Sequence, residues 1–272
     1  METREKEVSL YKLKDYDFSV FDLIDAHCHL DQLTSEEISD SLKYIDIMLT
    51  NSVDLISCIK NLKLVDNKHI FALMGIHPEF ALKLKNYEID YIINFIRENK
   101  ARIKGIGEIG LDYGIAKNLK TNILKQKRVF AKMLKLANEL DLPVSVHSRD
   151  AIDTVLDMLH KYKIKKAHIH FFEGDEEQAM RTVNYGYMIS IPPLISKKRV
   201  RAIKSVPIEM LMAETDSPTA GSLPKNVIES VKIIAEAKNI DNETAAKILT
   251  HNTKRFFNLN DPTTAFLRNS KK

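Results

Sequence analysis

Six side chains suited to holding a divalent metal sit at the ends of short apolar runs: His27, His29, Glu108, His147, His170 and Asp216. Imidazole nitrogens and carboxylate oxygens bind cations of intermediate hardness, and four imidazoles favour zinc, manganese or cobalt on ligand softness. Side chains alternate along a strand, so His27 and His29, two residues apart, point the same way as a chelating pair. Taken singly, each histidine is more simply a hydrogen-bonded core or surface residue. Six such donors at successive strand ends are hard to assign to packing.

The runs that carry these donors cover 21–24, 44–49, 70–74, 103–106, 143–146, 167–169, 187–190 and 211–213. Nearly continuous apolar runs of this length read as parallel strands covered by helices. Amphipathic segments near 52–66, 87–98, 121–140, 150–162, 175–185, 197–204, 224–237 and 242–257 alternate with them. In the clearest, 121–140, Ile123, Phe130, Met133, Ala137 and Leu140 recur at helical spacing, and Gln126 on the same face is expected to be partly buried and hydrogen-bonded. Strand–helix alternation predicts an α/β fold, a single-domain (β/α)8 TIM barrel over 19–260, with polar extensions at 1–18 and 261–272. Each metal-binding candidate then lies at or just past the C-terminal end of its strand, where barrels place catalytic groups. On regular strands Glu108 shares a face with Lys104 and Ile106, His170 with His168, and Asp216 with Glu214.

Bulk properties narrow the setting. The net charge of +4 fits an anionic substrate without requiring one. Cys28 and Cys58 are the only cysteines, which argues against a disulfide framework and for a reducing cytosol. No apolar stretch approaches the roughly 20 residues that span a bilayer, and residues 1–7 carry charges of both signs. The expectation is a soluble cytoplasmic protein without membrane partners. Basic segments at 117–135, 161–166 and 197–204 could line a nucleic-acid groove, although such lysines on outer helices are usually solvated.

The order of motifs carries a resemblance. Asp25-Ala26-His27-Cys28-His29-Leu30-Asp31, Gly75-Ile76-His77-Pro78 and Gly107-Glu108-Ile109-Gly110-Leu111-Asp112-Tyr113 come first. Gln126 with Phe130, His147-Ser148-Arg149-Asp150-Ala151 and His170-Phe171-Phe172-Glu173-Gly174 follow, and Glu214-Thr215-Asp216-Ser217-Pro218 and Asn252-Thr253 with Phe256-Phe257 complete the series. Over about 21–258 this resembles the TatD-type metal-dependent deoxyribonucleases, a branch of the metal-dependent hydrolase barrels. The resemblance implies two divalent ions per subunit (Mg, Mn or Zn). His27, His29 and Asp216 would hold one, His147 and His170 the other, with Glu108 bridging. It also implies hydrolysis of DNA phosphodiesters, single-stranded or at a strand end, as a 3'-5' exodeoxyribonuclease. Glu108 and Asp216 would be catalytic, Asp216 taking the proton of the attacking water. His77 and Arg149 are candidates for contacting a substrate phosphate, and Glu214 for orienting a ligand from behind. Asp25 and Asp112 read as turn or supporting groups, and Cys28 and Tyr113 as packing. His168 lies deeper than His170, outside the ligand set, and His69, His160 and His251 show no site context. Two segments depart from the family pattern. Glu173 stands where a small polar residue is usual, and 217–221 lacks the common aromatic residue.

Two other readings share the barrel. One is an amidohydrolase or esterase, such as a lactonase or a deacylase of mischarged aminoacyl-tRNA. In the dihydroorotase-like branch a carboxylated lysine bridges the metals, whereas here Glu108 takes that strand end and Lys104 is too deep. The other is a non-catalytic scaffold, disfavoured because no proposed ligand is missing. Imidazole ligation predicts that protons compete with metal below about pH 6.

Overall fold

The computed structural model describes residues 22–117 and 119–259. Eight strands form one parallel sheet in chain order: β1 (Ile24–Cys28), β2 (Ile47–Asn51), β3 (Ile70–Met74), β4 (Ile103–Gly110), β5 (Val144–His147), β6 (Ala167–Ile169), β7 (Met188–Ile191) and β8 (Leu211–Ala213). Helices separate successive strands, among them Leu55–Leu64, Asn86–Glu98, Lys120–Leu140, Ile152–Lys161, Glu176–Asn184 and Lys197–Ser205. The β8–β1 seam is joined just past the strand end. Asp216 N donates to His27 O (2.9 Å), and the Asp25 carboxylate accepts from both the backbone N–H and the hydroxyl of Thr215. The expected (β/α)8 barrel is therefore the observed fold. The polar extensions expected at 1–18 and 261–272, with the start of the run at 21–24, fall outside the described residues.

Two strands sit about three residues later than the apolar runs indicate. β1 contains Asp25 and His27, and β2 ends in Thr50 and Asn51, all fully buried although polar. Hydrophobicity marks where such strands begin poorly, because their polar residues are satisfied inside the barrel. β4 departs further. It runs on to Gly110, so Glu108 lies within the strand instead of at its end, and its register shifts between Ile106 and Ile109. Ile106 packs into the core beneath the helices, whereas Glu108 faces the barrel interior. The expectation that Glu108 shares a face with Ile106 therefore fails, because the two-residue alternation is broken between them. Gly107 makes this possible: a Cβ there would stand 2.8 Å from both Asn51 Oδ1 and Ser145 Cβ.

The barrel interior is layered. Its base is apolar, filled by Ile24, Leu49, Leu73, Met188 and Met212 and plugged by Phe256 and Phe257 from the helix Asn242–Phe257. Asn252 anchors this helix by donating to the carbonyls of Ile208 and Leu211, both at 2.8 Å. Above the base lies a polar layer containing Ser145, His168 and Ser190, each fully buried, and above that the candidate ligands. Among the described residues no helix is long and apolar enough to cross a membrane. Phe257 is 2% exposed, so Phe257→Ala should cost about 3–5 kcal/mol of stability in urea unfolding. A loss below about 1 kcal/mol would show that the aromatic pair does not seal the base.

Candidate metal centre

All six side chains chosen from sequence meet at the C-terminal mouth of the barrel. Glu108, 3% exposed, stands at the centre, and its two oxygens face different groups. Oε2 lies 3.7 Å from His27 Nε2 and 3.4 Å from His29 Nε2, and the same nitrogens stand 3.6 and 3.2 Å from Asp216 Oδ1. Oε1 lies 2.8 Å from His170 Nε2, 2.9 Å from His147 Nδ1 and 3.4 Å from His77 Nε2. The rings of His27 and His170 stack at 3.8 Å across the divide.

The spacing distinguishes the two halves. Two donors bound tetrahedrally to one ion at about 2.1 Å stand about 3.4 Å apart. The four separations among His27, His29, Glu108 and Asp216, 3.2 to 3.7 Å, match that edge length. His27 Nε2 is buried there with no hydrogen-bond partner, as expected of a nitrogen shaped for a cation. Around Oε1 the contacts of 2.8 and 2.9 Å are hydrogen bonds, and an ion there requires the donors to part by a few tenths of an ångström.

Buried neighbours orient each donor. His29 Nδ1 lies 3.0 Å from the Asn51 carbonyl, which can only accept, so its Nε2 is free to face the site. His147 Nε2 is 3.1 Å from Asp112 Oδ2. Gln126, hydrogen-bonded as expected but fully rather than partly buried, binds both the N–H and the carbonyl of Asp112, at 3.1 and 2.9 Å. His27 Nδ1 meets Ser145 Oγ at 3.0 Å. Asp216 has φ 54°, and the bulky Phe171, next to His170, has φ 45°. The left-handed backbone at Phe171 is uncommon for an aromatic residue, and the Glu214 carboxylate holds its N–H. Glu214 also accepts from Ser190 Oγ at 2.6 Å.

Three overlapping groups bring donors close enough for an ion: His27–His29–Glu108, His77–Glu108–His147 and His27–His170–Glu214. In the third, Glu214 is already engaged by Ser190 and Phe171. In the second, His77 caps the helix Pro78–Lys83, its Nδ1 accepting from Glu79 N at 3.2 Å. A neutral ring accepting at Nδ1 carries its hydrogen on Nε2, so His77 is a donor toward Glu108 Oε1 and a poor ligand. His77 lies three residues beyond β3, not at its end as the sequence suggested. Arg149 is exposed at the rim beside Gly114.

Electrostatics split similar residues apart. Burial would raise Glu108, but the surrounding histidines hold it well below the usual carboxylate range; Asp216 is likewise lowered by His29 against its burial. Burial drives His27 down to about 3, with His170 adding to the effect. Burial would also lower His29 and His147, yet Asp216 and Glu108 lift His29 to about 9, and Asp112 and Glu108 lift His147 to about 10. Burial pushes Asp25 up to about 7 and, with Asp216, Glu214 well above the carboxylate range.

A cavity of about 420 Å³ opens on the same rim, lined by Tyr113, Ser148, Asp150, Glu173, Gln178 and Lys198 among others. Sequence reasoning passed over Asn51, Ser145, Ser190 and this cavity. The available signal was a polar residue inside an apolar run, two positions before His147 for Ser145 and at the end of the run 187–190 for Ser190.

The profile of a family described as TatD related DNase matches residues 24–258. The chain belongs to that family. It is accordingly a TatD-family enzyme, a metal-dependent hydrolase acting on ester bonds. Among its relatives are an uncharacterized metal-dependent hydrolase of Methanocaldococcus jannaschii (31% identical, covering 86% of this chain and 96% of the relative) and the deoxyribonuclease TATDN3 of Homo sapiens (30% identical, 86% and 94%). A crystal structure of YJJV, a TatD homolog from Escherichia coli, superposes with a TM-score of 0.78 at 25% identity, covering 87% of this chain and 98% of that one.

The raised histidines set a pH window for this TatD-family centre. A proton on His29 or His147 competes with an ion, so affinity should climb as pH rises from 7 toward 9, roughly tenfold per unit for each proton displaced. The window lies above the pH 6 expected from ordinary imidazoles, because Glu108, Asp216 and Asp112 stabilise the protonated rings. Titration calorimetry with zinc at pH 7.5, in two buffers of different ionisation enthalpy, should detect released protons. Buffer-independent heats would contradict this protonation pattern.

Proposed function

We propose that this chain hydrolyses phosphodiester bonds of DNA, single-stranded or at a strand end, as a 3'-5' exodeoxyribonuclease with two divalent ions per subunit. The observation that carries the reading is the division of Glu108, with Oε2 turned to His27 and His29 and Oε1 to His147 and His170. A carboxylate placed this way can bond two ions through separate oxygens and offset their repulsion. His27, His29 and Asp216 would complete one half, His147 and His170 the other. When bound, such ions lower the pKa of water and stabilise the leaving oxygen of a phosphodiester. Zinc, manganese and magnesium are the candidates, the imidazoles favouring the first two.

The protein's own groups supply the rest. Asp216 Oδ1, at the mouth and 3.2 Å from His29, is the acceptor for the proton of the attacking water. Arg149 offers its guanidinium to the phosphate from the rim, and the Nε2 hydrogen of His77, which faces Glu108 Oε1 in the metal-free protein, would be released to a phosphate once an ion engages that oxygen. Asp112 holds His147 from behind, and Glu214 stands 4.0 Å from His170 Nδ1, which has no hydrogen-bond partner. The human relative's name, a deoxyribonuclease, supports DNA as the substrate. The buried, unbridged Cys28 and Cys58 suit a cytoplasmic setting.

The rim cavity favours a second reading. Asp150, Asp153 and Glu173 line it with one cation, Lys198, and Asp153 is paired with Arg181 at 2.9 Å, so the excess of negative charge rests on Asp150 and Glu173 and favours an amine over a phosphate backbone. An ester carrying an ammonium group, such as a mischarged aminoacyl-tRNA, fits that wall, and Glu173 is one of the residues departing from the family pattern.

End-labelled single-stranded DNA, RNA and aminoacyl esters assayed with magnesium, manganese and zinc in parallel separate these readings. Glu108→Gln should lower nucleotide release roughly 100-fold or more, about 2.7 kcal/mol of barrel-site stabilisation, with circular dichroism unchanged. No release from DNA or RNA by metal-loaded wild type would reject the nuclease, and full activity in Glu108→Gln would show the site to be misassigned.

A further inference from the structure

Five side chains, four from strands and one just past β8, form an unbroken polar line beneath the metal centre. His27 Nδ1 lies 3.0 Å from Ser145 Oγ, which lies 3.4 Å from His168 Nδ1. His168 Nε2 lies 2.5 Å from Ser190 Oγ, which donates to Glu214 Oε2 at 2.6 Å. All five residues are fully buried. The line begins at a candidate ligand of one half and ends 4.0 Å from His170 Nδ1 of the other.

A neutral imidazole carries one N–H and a serine one O–H, so the direction of each bond dictates the next. Ser190 spends its one hydrogen on Glu214 Oε2, so its oxygen accepts from His168 and the His168 hydrogen is on Nε2. His168 Nδ1 then accepts, and the neighbour that can supply the hydrogen is Ser145 Oγ. With its own hydrogen spent, Ser145 accepts from His27 Nδ1, which leaves His27 Nε2 bare. His168 is the pivot, because it alone must accept on one side and donate on the other through two different atoms.

We propose that His168 is a positioning residue: held between Ser145 and Ser190, it keeps the hydrogen of His27 on Nδ1 and so leaves His27 Nε2 bare for a divalent ion. This rests on the reading of His27 as a ligand through Nε2. Packing alone would explain His168 differently, since its ring meets Phe256 and Phe257 edge-on at 6.3 and 6.0 Å.

Two variants separate the roles. Leucine at this position still packs on the two phenylalanines but accepts no hydrogen, whereas asparagine keeps an acceptor for Ser145. In competitive zinc titrations His168→Leu should weaken one of two ions roughly 10- to 100-fold, and His168→Asn should restore most of that loss. Nitrogen-15 imidazole spectra of zinc-loaded wild type should show His168 protonated at Nε2 and His27 at Nδ1. His168 protonated at Nδ1 in that state, or wild-type zinc affinity in His168→Leu, overturns the coupling while leaving the metal centre standing. Wild type that takes up no zinc overturns the metal reading and this inference together. If His168→Leu does not fold, the wild-type imidazole spectrum decides alone.

Discussion

A single buried carboxylate organises the mouth of this barrel. Glu108 is withdrawn from water at the point where five histidines converge, and an isolated charge in such a place costs several kcal/mol even after relaxation. Positive charge must therefore accompany it. In the metal-free protein that charge is supplied by protons on His29 and His147; divalent ions can take their place. The same attraction that lowers Glu108 and Asp216 raises those two histidines, while burial, with His170 stacked against it, leaves His27 neutral and its Nε2 without a hydrogen-bond partner. Neighbouring imidazoles behave oppositely because carboxylates outweigh burial at His29 and His147 and do not at His27.

The remainder of the structure holds this arrangement rigid. Parallel strands bring donors from β1, β4, β5 and β6 to one level, and the turn after β8 adds Asp216. Three of the rings are fixed at the far nitrogen: His29 by the Asn51 carbonyl, His147 by Asp112, His27 by Ser145. Asp112 is in turn clamped by Gln126 from the helix Lys120–Leu140, and Asp25 closes the β8–β1 seam where Asp216 must sit. Beneath lies a polar layer, and beneath that an apolar plug at the base. Ser145, His168 and Ser190 in that layer bond to other side chains, so small changes in one hydrogen bond are transmitted to the next.

Asp150, Asp153 and Glu173 outnumber Lys198 on the wall of the rim cavity, although the chain as a whole is basic. Net charge describes long-range attraction, whereas the choice of substrate is made over the few ångströms of that wall.

Much was legible from residues alone. Strand–helix alternation predicted the barrel, and residue types at run ends identified all six converging donors. Two-residue spacing placed His27 and His29 together, and helical spacing foretold the burial of Gln126. These are local properties, carried by periodicity and chemical type over a few neighbours. Other features were decided only in three dimensions. Glu108 turns inward because β4 breaks its alternation at Gly107, where Asn51 and Ser145 leave no room for a side chain. The division of its oxygens, the opposed protonation of His27 and His29, the donor role of His77 and the line from His27 through His168 to Glu214 depend on distances between residues remote in sequence. Electrostatic and hydrogen-bond energies depend on such separations, and a linear order of residues does not contain them.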